Sequence, residues 1–144
     1  MKISTKGRYA LRLMLDLALS HAGEPISLKD IARRQDISEK YLEQIISVLN
    51  KAGFVNSVCG ANGGYTLRRK PEEYTVGDIL RLTEGSLAPV ACIEEGGIDC
   101  EREADCVTVL VWKKINDAIE GVVDHITLQD LVDWHLEKAD QYVI

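Results

Sequence analysis

One short signal occurs three times in this chain: SLKD at residues 27–30, TVGD at 75–78 and TLQD at 127–130. A serine or threonine followed three residues later by an acid is a capping box. The hydroxyl accepts from a backbone N–H inside the first turn, and the acid reaches back to the N–H of the cap. Ser27 with Asp30, Thr75 with Asp78 and Thr127 with Asp130 therefore each predict a helix start. Ser38 is a fourth cap, and the segment after Ser4 or Thr5 starts another helix. So many starts in 144 residues constrain the chain to a mostly α fold.

Apolar spacing agrees with these starts. Tyr9, Leu13, Met14 and Leu17 recur at three and four residues, and Gly23 and Pro25 close that helix. Leu28, Ile31 and Ala32 give the next helix a short apolar face. Tyr41, Leu42, Ile45, Ile46 and Leu49 give the third an inward side that ends at Gly53. Short helix, tight connection, then a helix with a polar outer face is the helix-turn-helix pattern. In FVNSVCGANGGYTLRR, Val55 and Val58 flank polar positions, GANGG turns, and YTL resumes, which predicts a hairpin. A hairpin straight after a reading helix is a wing. TVGDILRLTEG adds a helix whose Ile79 and Leu82 pack back on the first. Residues 84–106 hold no sustained period and read as a loop. ADCVTVLVWKKINDAIEGVV then reads as a long helix, with Val107, Leu110, Val111, Ile115, Ala118, Ile119 and Val122 in a broad apolar stripe. A small domain has too little core to cover that stripe, so the surplus points to a partner helix and a two-fold homodimer. The last helix carries Leu128, Leu131, Val132 and Leu136. The organisation expected is a winged helix-turn-helix DNA-binding domain over 1–83, a cysteine-bearing loop over 84–106, and 107–144 as a dimerisation helix plus a C-terminal helix packed back on the first domain.

Charge divides the chain. Residues 1–70 hold 12 Lys and Arg against 6 Asp and Glu, a net +6; residues 71–144 hold 5 against 17, a net −12. A basic first half predicts an anionic partner there, and double-stranded DNA suits a helix-turn-helix. Ser38, Glu39, Lys40, Glu43, Gln44 and Ser47 are the polar candidates on the third helix, with Tyr41 among them. Gln44 has the groups to pair with adenine, and Glu43 to accept from cytosine N4. Lys2, Lys6, Arg8, Lys40 and Arg68 or Arg69 would position phosphates. At the wing tip Cys59, Gly60, Asn62, Gly63 and Gly64 would approach the backbone or the minor groove, where few side chains stand in the way. No run of about 18 apolar residues crosses a membrane, and MKISTKGRYA has no secretory h-region, which predicts a cytoplasmic location. A phosphate loop, an HExxH motif and an interpretable nucleophile–base pair are all missing, which argues against an enzyme.

CIEEGGIDCEREADC holds three of the four cysteines, Cys92, Cys100 and Cys106, with seven and then five residues between them. Neither interval is the close pair of most structural zinc modules. The residues alone leave three readings: an iron–sulfur cluster site, a zinc or thiol-redox site, and incidental cysteines. Glu94, Glu95, Asp99, Glu101, Glu103 and Asp105 are answered only by Arg102, so uncoordinated thiols here are expected to titrate high.

From STKGRYA through LEQ and GGY to the three-cysteine loop, VW and ITLQDL, nearly the whole chain resembles the IscR-type winged-helix regulators, bacterial transcription factors of iron–sulfur cluster assembly. The resemblance implies a homodimer with one 2Fe–2S cluster per subunit, held by Cys92, Cys100 and Cys106. It implies repression of cluster-assembly genes, with cluster occupancy changing which operator is read and Glu43 discriminating between operators, beside Gln44 and Ser38. Two departures stand out. The family commonly has a histidine three residues after the last cysteine, where this chain has Val109. That leaves Glu94, Asp99, Asp105, the other subunit or a small thiol as fourth ligand, since His21, His125 and His135 align with no ligand position. The first cysteine interval is also longer than the family's usual five residues. In the wing, Cys59 stands where an arginine is common, which removes a minor-groove contact. If loading orders the loop, it would shift the reading helices through the long helix. The competing reading is a cluster-free regulator controlled by thiols or by a partner protein, as in a relative that partners a cysteine-biosynthesis enzyme, or an interaction scaffold.

Overall fold

The computed structural model describes residues 1–20, 23–97, 100–102 and 104–141. Six helices and one hairpin are found among them: α1 (Thr5–Ala18), α2 (Leu28–Gln35), α3 (Glu39–Lys51), β1 (Val55–Val58), β2 (Gly64–Leu67), α4 (Val76–Glu84), α5 (Val109–Val123) and α6 (Leu128–Gln141). The fold is mostly α with a small antiparallel wing, paired from Val55 opposite Leu67 to Val58 opposite Gly64.

Two of the three capping boxes close in full. Thr75 and Asp78 exchange both hydrogen bonds at 3.0 Å, and Thr127 and Asp130 do so at 2.9 and 3.1 Å. The third is half made. Ser27 Oγ accepts from the Asp30 amide at 3.2 Å, but the Asp30 carboxylate turns to Arg33 at 3.3 Å. A cation one turn along competes for the acid, and Arg33 wins. The α1 start is closed from a distance. Ser4 Oγ accepts from the Gly7 amide, while the Ser4 amide and hydroxyl donate to Glu84 at the end of α4. A Cβ on Gly7 would strike that carboxylate where it now lies, so the glycine leaves it room.

In the main core cluster α1 supplies Ala10, Leu13, Met14 and Leu17, α2 Ile31, and α3 Leu42, Ile45, Ile46 and Leu49, with Val55, Tyr74, Ile79 and Leu128 closing it. Tyr74 is fully buried, and its hydroxyl donates to the Phe54 carbonyl at 2.6 Å and accepts from the Arg69 amide at 3.0 Å, so no polar atom is stranded. A bridge between Ile26 and Tyr65 stitches the turn end of β2 to the α1–α2 connection, with backbone bonds of 3.0 and 2.9 Å. A second bridge, Thr75 to Thr127, sets the caps of α4 and α6 side by side. The wing and the C-terminal helix are thereby fixed to the three-helix core by backbone bonds.

The region after α4 is built differently. A smaller cluster, Val76, Leu80 and Leu87, receives Ile119 and Val123 from α5 and Ile126 after it, and Arg81 of α4 grips Asp124 at 2.5 and 3.0 Å. Beyond that α5 is uncovered: none of its residues is buried, and Leu110, Val111, Ile115 and Val122 are exposed. Part of the stripe therefore packs within the chain and most of it does not. The helix also starts later than its sequence pattern predicts. Thr108 is the cap but makes no side-chain cap bond, so the first regular turn begins at Val109 and Cys106 stays outside it. Among the described residues, the loop before α5 contains one 3-10 turn, Ala91–Ile93. No described helix is long and apolar enough to cross a membrane.

Candidate reading face and cysteine cavity

The polar side chains singled out on α3 lie outward. Ser38, Lys40, Glu43, Gln44 and Ser47 are exposed, and from Lys40 onward they recur at three and four residues along one face. Ser38 spends its oxygen on the helix, accepting from the Tyr41 amide at 3.1 Å. Tyr41 is half-buried and meets Tyr9 edge-on, with ring centroids 5.6 Å apart. Arg12 lies over that Tyr9 ring and donates to the side chain and backbone carbonyl of Gln35. Among the described residues Glu43 makes no ion pair with Lys40.

Behind this face sits a buried acid that sequence reading passed over. Asp16, 5% exposed, accepts from Arg34 Nε at 3.1 Å, from the other Arg34 nitrogen at 2.6 Å and from Gln35 Nε2 at 2.9 Å. The Asp16 hydrogen bond raises the Arg34 pKa above its ordinary value, so the guanidinium stays charged. It locks the end of α2 to α1, and so sets the angle at which α3 leaves. A hint was available in sequence: Asp16 falls between Leu13 and Leu17 on the apolar side of α1.

Of the phosphate candidates, Lys2 and Arg8 are exposed, Lys6 is half-buried, and Arg8 donates to Thr5 Oγ1 at 3.0 Å. Arg68 is exposed. Arg69 stacks over Phe54 and Tyr74, 5.3 and 4.7 Å from the ring centroids, which assigns its guanidinium to packing. At the wing tip Cys59, Gly60 and Asn62 are exposed, and Gly60 takes φ +111° in open space. Gly63 and Gly64 have structural reasons to be glycine. A Cβ on Gly63 would strike the Val58 carbonyl, and one on Gly64 the Ile26 backbone.

At the opposite end of the sequence pattern, Cys92, Cys100 and Cys106 line one cavity of about 290 Å³ with Ile93 and Val109. Lys113, Asn116 and Asp117 of α5 complete its wall. All four cysteines are free thiols. Cys106 sits against the head of α5, its sulfur 3.3 Å from Thr108 Oγ1. The Thr108 hydroxyl, then the Val109 and Thr108 amides, and the charge of Arg102 together hold the Cys106 thiol below its ordinary pKa. The expectation that acidic surroundings push these thiols up is therefore overturned for Cys106. Hydrogen bonds from a helix head act at contact distance, whereas Glu94, Glu95, Glu101 and Asp105 are exposed to water.

The cluster expectation is corrected as well. Among the described residues no group of three or more His, Cys, Asp and Glu side chains could hold a metal ion. Sharing a cavity wall is a weaker condition than converging on one ion. Cys92, in the 3-10 turn, and Cys100 are both exposed, Cys106 stands outside α5, and the family's histidine position is Val109, the first residue of that helix. The expectation of one 2Fe–2S cluster per subunit held by Cys92, Cys100 and Cys106 does not fit this donor set. Asp99, one suggested fourth ligand, and His21 and Glu103 lie outside the described residues.

A helix pair carrying an outward polar face, followed by a braced hairpin, defines a winged helix-turn-helix protein. The Rrf2 family profile, described as an iron-dependent transcriptional regulator, matches residues 3–134, and the chain belongs to that family of DNA-binding transcriptional regulators, which are not enzymes. It is similar to the transcriptional regulator CymR of Bacillus subtilis, 43% identical over 99% of this chain and 98% of that protein. The structure of that protein, described as the global cysteine regulator, superposes with a TM-score of 0.79 over 93% of this chain and 98% of the other. IscR of T. potens is 46% identical, with a TM-score of 0.75 over 100% of this chain and 92% of the other. The oxidised form of Staphylococcus aureus CymR is 42% identical, with a TM-score of 0.72 over 92% of this chain and 96% of the other. The narrower IscR-type expectation thus widens to the Rrf2 family, with kinship to both subtypes.

Proposed function

We propose that this chain is a cluster-independent transcription regulator that works as a two-fold dimer and whose operator affinity follows the state of its thiols. The observation that carries this reading is the position of the cavity: its thiols lie against α5, the helix whose exposed apolar stripe calls for a second copy. A change in the cavity is then a change at the seam that spaces two reading helices. The likeness to a global cysteine regulator and to a protein described in an oxidised form supports thiol control. In this reading Glu43, Gln44 and Ser47 meet base edges, Lys2, Lys6, Arg8, Lys40 and Arg68 meet phosphates, and the tip at Cys59, Gly60 and Asn62 lies over the backbone or minor groove.

The test uses protein purified with chelator and reductant, and a duplex selected from genomic fragments. The reduced, metal-free protein is expected to bind with two chains per site. A thiol oxidant should change the dissociation constant about tenfold, reversibly on adding dithiothreitol. Protein with no specific affinity until iron and sulfide are restored contradicts the reading.

A further inference from the structure

We propose that the cysteine cavity binds a small zwitterionic disulfide of the amino-acid class, and that Cys106 opens it and keeps one half as a mixed disulfide. The inference rests on the thiol reading above and names its ligand.

The cavity wall carries both signs of charge. Lys113 and Asp117 lie one turn apart on α5, and neither forms an ion pair with the other or with any other described residue. Side chains at that spacing have Cβ atoms about 5–6 Å apart. An α-amino acid carries its carboxylate and ammonium on one carbon, a separation that this pair brackets: carboxylate toward Lys113, ammonium toward Asp117. A simple acid or a simple amine would leave one of the two unanswered. Ile93 and Val109 offer an apolar surface for methylene carbons. About 290 Å³ lies at the small end of ligand sites, which suits a ligand of amino-acid size.

Sulfur is called for by the remaining wall. Three free thiols face this space, and the one at the head of α5 is held beside the Thr108 hydroxyl. In the step proposed, Cys106 Sγ, as thiolate, attacks one sulfur of the ligand's S–S bond. A bond forms between Sγ and that sulfur, the ligand S–S bond breaks, and the other half leaves as a thiolate that takes up the proton Cys106 released. The ligand is the oxidant: its disulfide is reduced by one thiol equivalent as Cys106 is oxidised, and no metal or further oxidant takes part. The adduct puts a new zwitterion against α5 at the proposed dimer seam.

The test uses the reduced full-length chain with two probes, L-cystine and the uncharged bis(2-hydroxyethyl) disulfide, followed by intact mass and peptide mapping. One half-cystine per chain is expected on Cys106. Lys113→Met and Asp117→Asn should each slow the cystine reaction about tenfold and leave the uncharged reaction unchanged. Cystine rates unaltered by both substitutions overturn the proposal, as does an adduct mapped elsewhere. Parallel loss of both rates overturns it too, since both side chains are exposed and the fold does not need them. An adduct that forms without altering operator affinity leaves this site standing and removes the thiol-control reading. Operator affinity that answers a general oxidant while cystine leaves Cys106 untouched does the reverse.

Discussion

Residues 5–80 and residues 91–123 are both rich in helix, yet they are held in opposite ways. The first region closes on itself. Its helices bury ten of the apolar residues named in the core, a fully buried tyrosine has both hydroxyl bonds made, and Asp16 ties α1 to α2 with three hydrogen bonds. The second region has a helix with no buried residue and a loop whose described residues hold one 3-10 turn and isolated backbone turns. A reading head must keep its recognition helix at a fixed angle to the groove, which favours over-determined packing. A sensing segment has to change with its ligand, and such segments come from the weakly held part of a structure. In the reading proposed above, the contacts missing from the apolar stripe of α5 are made by another copy.

Substitutions on the two sides should separate these roles. The largest effect is expected from paired charges in the stripe. Leu110→Asp with Val111→Asp should weaken self-association by about 100-fold or more, as seen by analytical ultracentrifugation, while the melting of the reading head stays near the parent's. Unchanged association would break the contrast. In the core, Leu42→Ala should cost about 2–5 kcal/mol in urea unfolding, because a fully buried side chain leaves a cavity. Asp16→Ala should cost about 1–3 kcal/mol, since Gln35 loses its acceptor while the half-exposed Arg34 turns to water. Operator affinity should fall with it, because the α2–α3 angle is released. The smallest effect belongs to the link between regions. The Arg81 hydrogen bond holds the Asp124 carboxyl below its ordinary pKa. A depressed carboxyl stabilises the fold above its unfolded pKa, and that contribution is lost as pH falls through the folded value. Both partners are more than a third exposed, so Asp124→Asn should cost under about 1 kcal/mol at neutral pH, and the difference from parent should vanish in acid.

How much of this was legible in the sequence follows the same divide. Capping signals and apolar spacing are local, so Thr75, Thr127, Ser38 and the core faces of α1 and α3 could be read directly. Glu84 could not be matched to Ser4, nor Asp16 to Arg34, because partners 80 and 18 residues apart are chosen by packing. Gly63 and Gly64 read as an open tip, whereas their Cβ positions are blocked by backbone brought up from Val58 and Ile26. The cysteines show the limit most clearly. Their spacing was plain, but whether three thiols converge on one ion or only share a cavity wall depends on loop geometry. The lowering of the Cys106 pKa depends on where α5 begins, and Lys113 and Asp117 read in sequence as the polar side of a helix, because only the folded loop brings the thiols against them.

In the reading proposed above, a thiol at the head of α5, and no metal cluster, sets operator affinity. The most direct measurement compares parent and Cys106→Ser, each reduced and each treated with thiol oxidant, on one operator at one salt concentration. Equal affinities for the two reduced proteins are expected, with a shift of about tenfold on oxidation in the parent alone. A shift of the same size in Cys106→Ser, or no shift in the parent, would contradict the account.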